Sequence, residues 1–213
     1  MLTTARLRRA GWLAMTVTAT GLALFSARYF SLNPAVFLPG QVVVYAAHLG
    51  PLLLHVVGGV TALAAGPWQF WTGLRARHPA IHRAIGRVYL VAVVAAAAGG
   101  LLLAPLSMGG PLAHVGFGVL AVLLLLTSAA ALVSILRRRI DAHRAWMFRS
   151  YSLVFAAVTF RWWLGLAATG LPFEQVYAVG AWTSWLIDLL AAEFLLTAIG
   201  RVRTAARPRP AGS

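Results

Sequence analysis

Long apolar runs, most of them bounded at one end by arginines, divide this chain into six segments. They extend from Gly11 to Tyr29, Val43 to Trp71, Val88 to Met108, Leu112 to Leu136, Ala145 to Thr169 and Val176 to Ile199. About 20 apolar residues cross a bilayer as a helix, so each run predicts a transmembrane helix. The stretches 31–41, 109–111 and 170–175 are short and rich in Pro and Gly, as turns require. The pattern predicts an all-α polytopic membrane protein, one integral domain over residues 1–213, with a disordered basic tail at 201–213.

Proline removes a backbone donor, so Pro51 and Gly66-Pro67 predict kinks in the second run. Arg6, Arg8 and Arg9 precede the first run as they would in a signal peptide. No small-x-small cleavage site follows, which favours a retained anchor. Trp68, Trp71, Tyr89, Trp146 and Tyr151 gather near one boundary, as an interfacial aromatic belt does.

The four central helices read as a duplicated pair, repeat one at about 43–108 and repeat two at about 112–169, flanked by helices at 11–29 and 176–199. His55-Val-Val-Gly-Gly-Val and His82-Arg83-Ala84 in the first copy match His114-Val-Gly-Phe-Gly-Val and His143-Arg144-Ala145 in the second. Repeated helix pairs tend to pack about a pseudo-twofold axis. That operation sets His55 against His114 near one membrane face and His82 against His143 near the other. Gly58, Gly59, Gly116 and Gly118 follow the first histidine of each copy and predict close helix packing.

Composition narrows the chemistry. The chain is 61% hydrophobic and 10% charged, with a mean hydropathy of +0.82. No cysteine is present, which excludes disulfides, thiolate-bound haem, iron–sulfur clusters and cysteine nucleophiles. The net charge of +14 comes entirely from arginine, because the chain has no lysine. The arginines cluster at 6–9, 75–87, 137–149 and 201–209, at span ends. That is a positive-inside pattern facing anionic headgroups and gives no support for nucleic acid as a partner. It predicts a bacterial inner-membrane protein with both termini in the cytoplasm.

Paired imidazoles inside a helical bundle are what a b-type haem iron needs. The spacing therefore makes His55, His114, His82 and His143 candidate iron ligands for one or two haems b. Arg83 and Arg144 would serve as propionate partners. The alternative is that these histidines only mark interfaces. His48 lies seven residues before His55, on the same face of a continuous helix, and is a rival outer ligand or a supporting group. His78, beside Pro79 in a basic loop, reads as interfacial.

Arg149, Arg161, Asp188 and Glu193 fall within predicted spans, where ionisable groups are costly and usually paired or functional. Counting residues by helical rise puts Arg149 within reach of Glu193 and Arg161 within reach of Asp188. Arg161 with Trp162 and Trp163 is also a candidate proton route or quinone-head site.

The layout of residues 43–169 resembles the cytochrome b561-type fold, in which four core helices carry one histidine each and hold two haems. The chain lacks the lysines used there for ascorbate. Its motifs resemble a bacterial membrane family, domain of unknown function 2306. They are Gly66-Pro67-x-Gln69-Phe70, His82-Arg83-x-x-Gly86-Arg87-x-Tyr89, His143-Arg144-x-Trp146-Met147-x-Arg149-Ser150 and Arg161. That family carries no assigned activity.

The expectation is therefore transmembrane electron transfer through haem, linked to quinone or a soluble redox partner. Rivals are a proton-coupled carrier working through Arg161, Asp188 and Glu193, or a non-catalytic assembly or lipid-binding factor. A homodimer stays open.

Overall fold

The computed structural model describes residues 4–205, and among them every regular element is helical. Helix α1 is Thr4–Ser26, α2 Val42–Ala47, α3 Leu49–Phe70 and α4 Thr72–Arg77. Helices α5 (Pro79–Leu103), α6 (Gly110–Leu136), α7 (Ile140–Leu166) and α8 (Phe173–Ala205) complete the order. Among the described residues six helical segments are long and apolar enough to span a bilayer, built on α1, α3, α5, α6, α7 and α8. The chain is a multi-pass membrane protein. Helix α8 continues through Ala205, beyond the start of the expected tail, and residues 206–213 lie outside the described residues.

Helices α3, α5, α6 and α7 form a ring in which α3 packs on α5, α5 on α6, α6 on α7 and α7 on α3. Helix α1 flanks α3, while α8 lies against α7 and α6. The α3–α5 contact is the closest because glycines line it. A Cβ on Gly58 would sit 2.4 Å from the Ala96 nitrogen, and one on Gly99 would sit 2.5 Å from the His55 nitrogen. Small residues let helix backbones approach in lipid, where no hydrophobic force drives association. Gly116 meets Trp182 in the same way, whereas Gly59 and Gly118 touch nothing.

Pro51 and Pro67 act differently. The backbone breaks at His48, three residues before Pro51, with φ −125° and ψ 46°. The second span is therefore two helices, and the continuous face expected for His48 and His55 does not exist. Helix α3 stays helical through Pro67, which cannot donate to the Leu63 carbonyl. The Tyr151 hydroxyl donates to that carbonyl instead, at 3.3 Å. Pro67's own carbonyl accepts from the Trp12 indole at 2.9 Å, tying α1 to α3.

Tyr89 and Tyr151 are not belt residues. Both are buried in the bundle. Tyr89 shares a hydrogen bond with Ser150 at 2.8 Å, and Ser150 shares one with Ser128 at 2.7 Å, so three hydroxyls from α5, α7 and α6 satisfy one another. Trp68 and Trp71 do remain exposed, packed with Trp12 at the arginine-rich end.

Candidate functional site

At the end away from the arginine clusters, the helix ring encloses a cavity of about 260 Å³. Its walls are aliphatic and aromatic, among them Leu63 of α3, Ala97 of α5, Leu124 of α6 and Phe160 of α7. Polar groups collect toward its upper end: His55, Tyr29, Gln41, Tyr45, Arg161 and Tyr177.

The roof comes from residues 27–47, of which the sequence predicts a turn at 31–41 and the ends of the first and second spans on either side. Two short 3-10 turns and α2 fold back over the bundle there, and Tyr29, Phe37 and Tyr45 pack ring against ring. Gln41 is buried, and its amide, turned to satisfy both ends, accepts from the Met108 nitrogen at 2.8 Å and donates to the Leu106 carbonyl at 3.3 Å. Gly40 has φ +82°, and a Cβ there would lie 2.6 Å from the Met108 sulfur. The roof is thus fastened to the α5–α6 turn at a point where only glycine fits.

His55 projects from α3, and its Nδ1 hydrogen-bonds the Ala96 carbonyl at 2.9 Å. A carbonyl can only accept, so Nδ1 carries the proton and Nε2 is left as an acceptor in the neutral ring. Arg161 lies within electrostatic reach of His55, Tyr45 and Tyr177. Burial, followed by the neighbouring Tyr177 and Tyr29, pushes the Tyr45 phenol above its usual value, while the Arg161 charge pulls it down. Tyr45 therefore stays a neutral hydroxyl. Among the described residues no carboxylate lies within ion-pair distance of Arg161.

The expected Arg161–Asp188 pair does not form. Asp188 instead accepts from the Thr159 hydroxyl at 2.9 Å on each carboxylate oxygen. Arg149 and Glu193 do pair across α7 and α8: Arg149 Nε bonds one carboxylate oxygen, and an Nη–O contact of 2.9 Å completes a bidentate bridge. Arg149 also lies over the Trp146 ring at 4.7 Å. Asp188, Glu193 and Arg161 therefore belong to three separate arrangements, and no common carrier site brings them together.

The histidines do not fit a haem shared by His55 and His114. Only His55 lines the cavity. His114 engages the Ser107 carbonyl through Nε2 at 2.8 Å, which leaves the lone pair on Nδ1 alone, and its ring is not among those that line the cavity. His48 bonds the Val44 carbonyl through Nδ1 at 2.9 Å and does not line the cavity either. At the arginine-rich end, His143 bonds the Ala131 carbonyl through Nδ1 at 2.9 Å. His82 and His143 are within electrostatic reach of each other, and the buried Nδ1 of His82 has no partner. Among the described residues no group of three or more His, Asp or Glu could hold a metal ion.

Sequence reasoning missed Gln41, Tyr29, Tyr45 and Tyr177. Nothing in their spacing marked them, because they meet only once residues 27–47 fold over the bundle. The profile of the family described as "Predicted membrane protein (DUF2306)" matches residues 52–196, well over half of the chain. The chain belongs to that family. No curated protein and no solved structure gives a significant match.

Proposed function

We propose that this member of the DUF2306 family is a membrane-embedded binding protein for a lipid-soluble amphiphile. Its hydrogen-bond-accepting headgroup would lie against Arg161, with an apolar body in the cavity between α3 and α6. The observation that carries the reading is Arg161: a permanent cation at the edge of an apolar cavity, with no carboxylate partner among the described residues. Intramembrane charge without a protein partner is costly, and a ligand acceptor would relieve it.

Two further features support the reading. Leu22 and Arg161 also line a second cleft, formed with Thr18, Gly21, Val158 and Trp162 between α1 and α7. That cleft gives a hydrophobic molecule a sideways route from the lipid, with Arg161 at the threshold. His55 Nε2 as acceptor and the tyrosine hydroxyls as donors suit a head presenting both oxygen acceptors and a hydroxyl, as quinones and quinols do. The cavity, at about 260 Å³, falls just below the roughly 300–1,000 Å³ of small-molecule sites, enough for a ring and the first part of its tail. His55 and His114 do not meet at one site, so the reading routes no electron transfer through that pair. The arginine-rich end faces the cytoplasm of a bacterial inner membrane in this reading, from the positive-inside distribution.

The test is tryptophan quenching. Decylubiquinone, titrated into protein in nanodiscs, should quench Trp162 and its neighbours saturably, and Arg161→Met should weaken binding by about tenfold, one charge-assisted contact. Quenching that rises linearly with lipid partitioning in both proteins would overturn the proposal.

A further inference from the structure

A second set of polar groups sits at the opposite end of the bundle, outside the cavity. Gln69, near the end of α3, is only 7% exposed, yet its Nε2 donor has no partner. Its Oε1 faces Gly86 of α5, where an added Cβ would lie 3.2 Å away. His82 is one helical turn before Gly86, on the same face of α5, and its buried Nδ1 also lacks a partner. Both unsatisfied atoms thus belong to side chains at the arginine-rich end of α3 and α5. Buried polar atoms without partners are rare and cost about 1–3 kcal/mol each, so a ligand that satisfies both is favoured.

The charge around them has one sign. Arg75 of α4 is the cation that His82 feels most strongly, followed by His143 and Arg83. The Arg75 guanidinium is pushed below its ordinary value by burial and then by the charge of Arg144. Arg144 contacts Asp141 at 3.6 Å, but that carboxylate is 81% exposed, so it offsets little of the positive charge. After Pro79, which has no N–H, the Ala80 and Ile81 N–H groups of the first turn of α5 have no carbonyl within the helix.

We propose that Gln69, His82 and Arg75, with Arg144 beside them, form a binding site for a phosphate-type oxyanion. The anion would accept hydrogen bonds from the Gln69 amide and the His82 ring, and Arg75 would balance its charge. The chemistry is common to an anionic phospholipid headgroup, which would enter from the membrane, and to a soluble phosphate. This site is independent of the amphiphile cavity.

Thermal unfolding of the full-length protein in nanodiscs tests it. One arm compares phosphatidylcholine alone with phosphatidylcholine containing phosphatidylglycerol; the other adds inorganic phosphate to the neutral lipid. A rise in Tm with phosphatidylglycerol only assigns the site to a headgroup, and a rise with inorganic phosphate assigns it to a soluble phosphate. In either case Gln69→Leu and Arg75→Met should lower the apparent affinity by about tenfold each. Arg6→Met, an exposed position in the first turn of α1, should leave it unchanged. If one Gln69 variant unfolds, native mass spectrometry of Arg75→Met reports retained anion in its place. No shift in either arm, or equal shifts in wild type and both variants, would overturn the proposal.

Discussion

Gly66→Ala measures how tightly the bundle is specified at one point. An added Cβ would sit 1.9 Å and 2.2 Å from two ring carbons of Tyr151. Ordinary carbon–carbon contact is about 3.5–4.0 Å, so the ring would have to withdraw by roughly 1.5 Å or more. It has little room: Tyr151 is 3% exposed and packs on the rings of Phe70, Tyr89 and Phe155. Overpacking costs about 1–3 kcal/mol. Losing the Tyr151 bond to the carbonyl freed by Pro67 adds about 1 kcal/mol. Alanine recovers about 1 kcal/mol of helix propensity over glycine. The net expectation is a loss of about 2 kcal/mol, using those ranges. Reversible unfolding by dodecyl sulfate in mixed micelles, followed by circular dichroism, reads it out. Gly59→Ala, where nothing lies within 4 Å, supplies the control. The reasoning fails if the two alanines differ by less than about 0.5 kcal/mol, the usual size of an inconsequential change. It also fails if Tyr151→Leu does not relieve the cost of Gly66→Ala in the double variant.

Three further outcomes are expected, two from unfolding and one from absorption spectra. Glu193→Gln should destabilise by about 2 kcal/mol, because it leaves Arg149 without its bidentate partner in a spanning helix, and Arg149→Met combined with it should recover part of that loss. Ser150→Ala breaks both bonds of the buried hydroxyl chain and should cost about 1–3 kcal/mol, whereas Ser152→Ala, whose hydroxyl only bonds the Arg149 carbonyl, should cost less than half as much. With His114 engaged at Ser107, any Soret band of the protein from haem-replete cells should survive His55→Ala and His114→Ala; a band abolished by both would refute the ring placements.

The membrane architecture was legible because twenty-residue apolar runs and arginine-marked ends need no tertiary information. The Arg149–Glu193 pair was legible too, since helical rise alone fixes the depth of each residue. Side-chain direction was not. His114 carries the repeat's signature, but the turn at Ser107 presents a carbonyl to its Nε2, and that local contact decides where the ring points. Asp188 looked like the partner of Arg161 by depth, yet Thr159, two residues before Arg161 on α7, bonds both of its oxygens. Tyr89 and Tyr151 looked interfacial by type, yet hydrogen bonds with the Ser150 hydroxyl and the Leu63 carbonyl hold them inside. His55 could be singled out from the repeat, whereas the roof that completes its cavity depends on Gly40 against Met108, a contact between segments far apart in the chain.

The central claim is that the Arg161 cavity holds a lipid-soluble molecule in the native membrane. Mass spectrometry of the organic extract from gently purified protein tests it most directly. The account predicts an amphiphile with an oxygen-acceptor head, near one per chain, retained by the wild type and lost from Arg161→Met. Equal amounts in both proteins, or no such molecule in either, would contradict it.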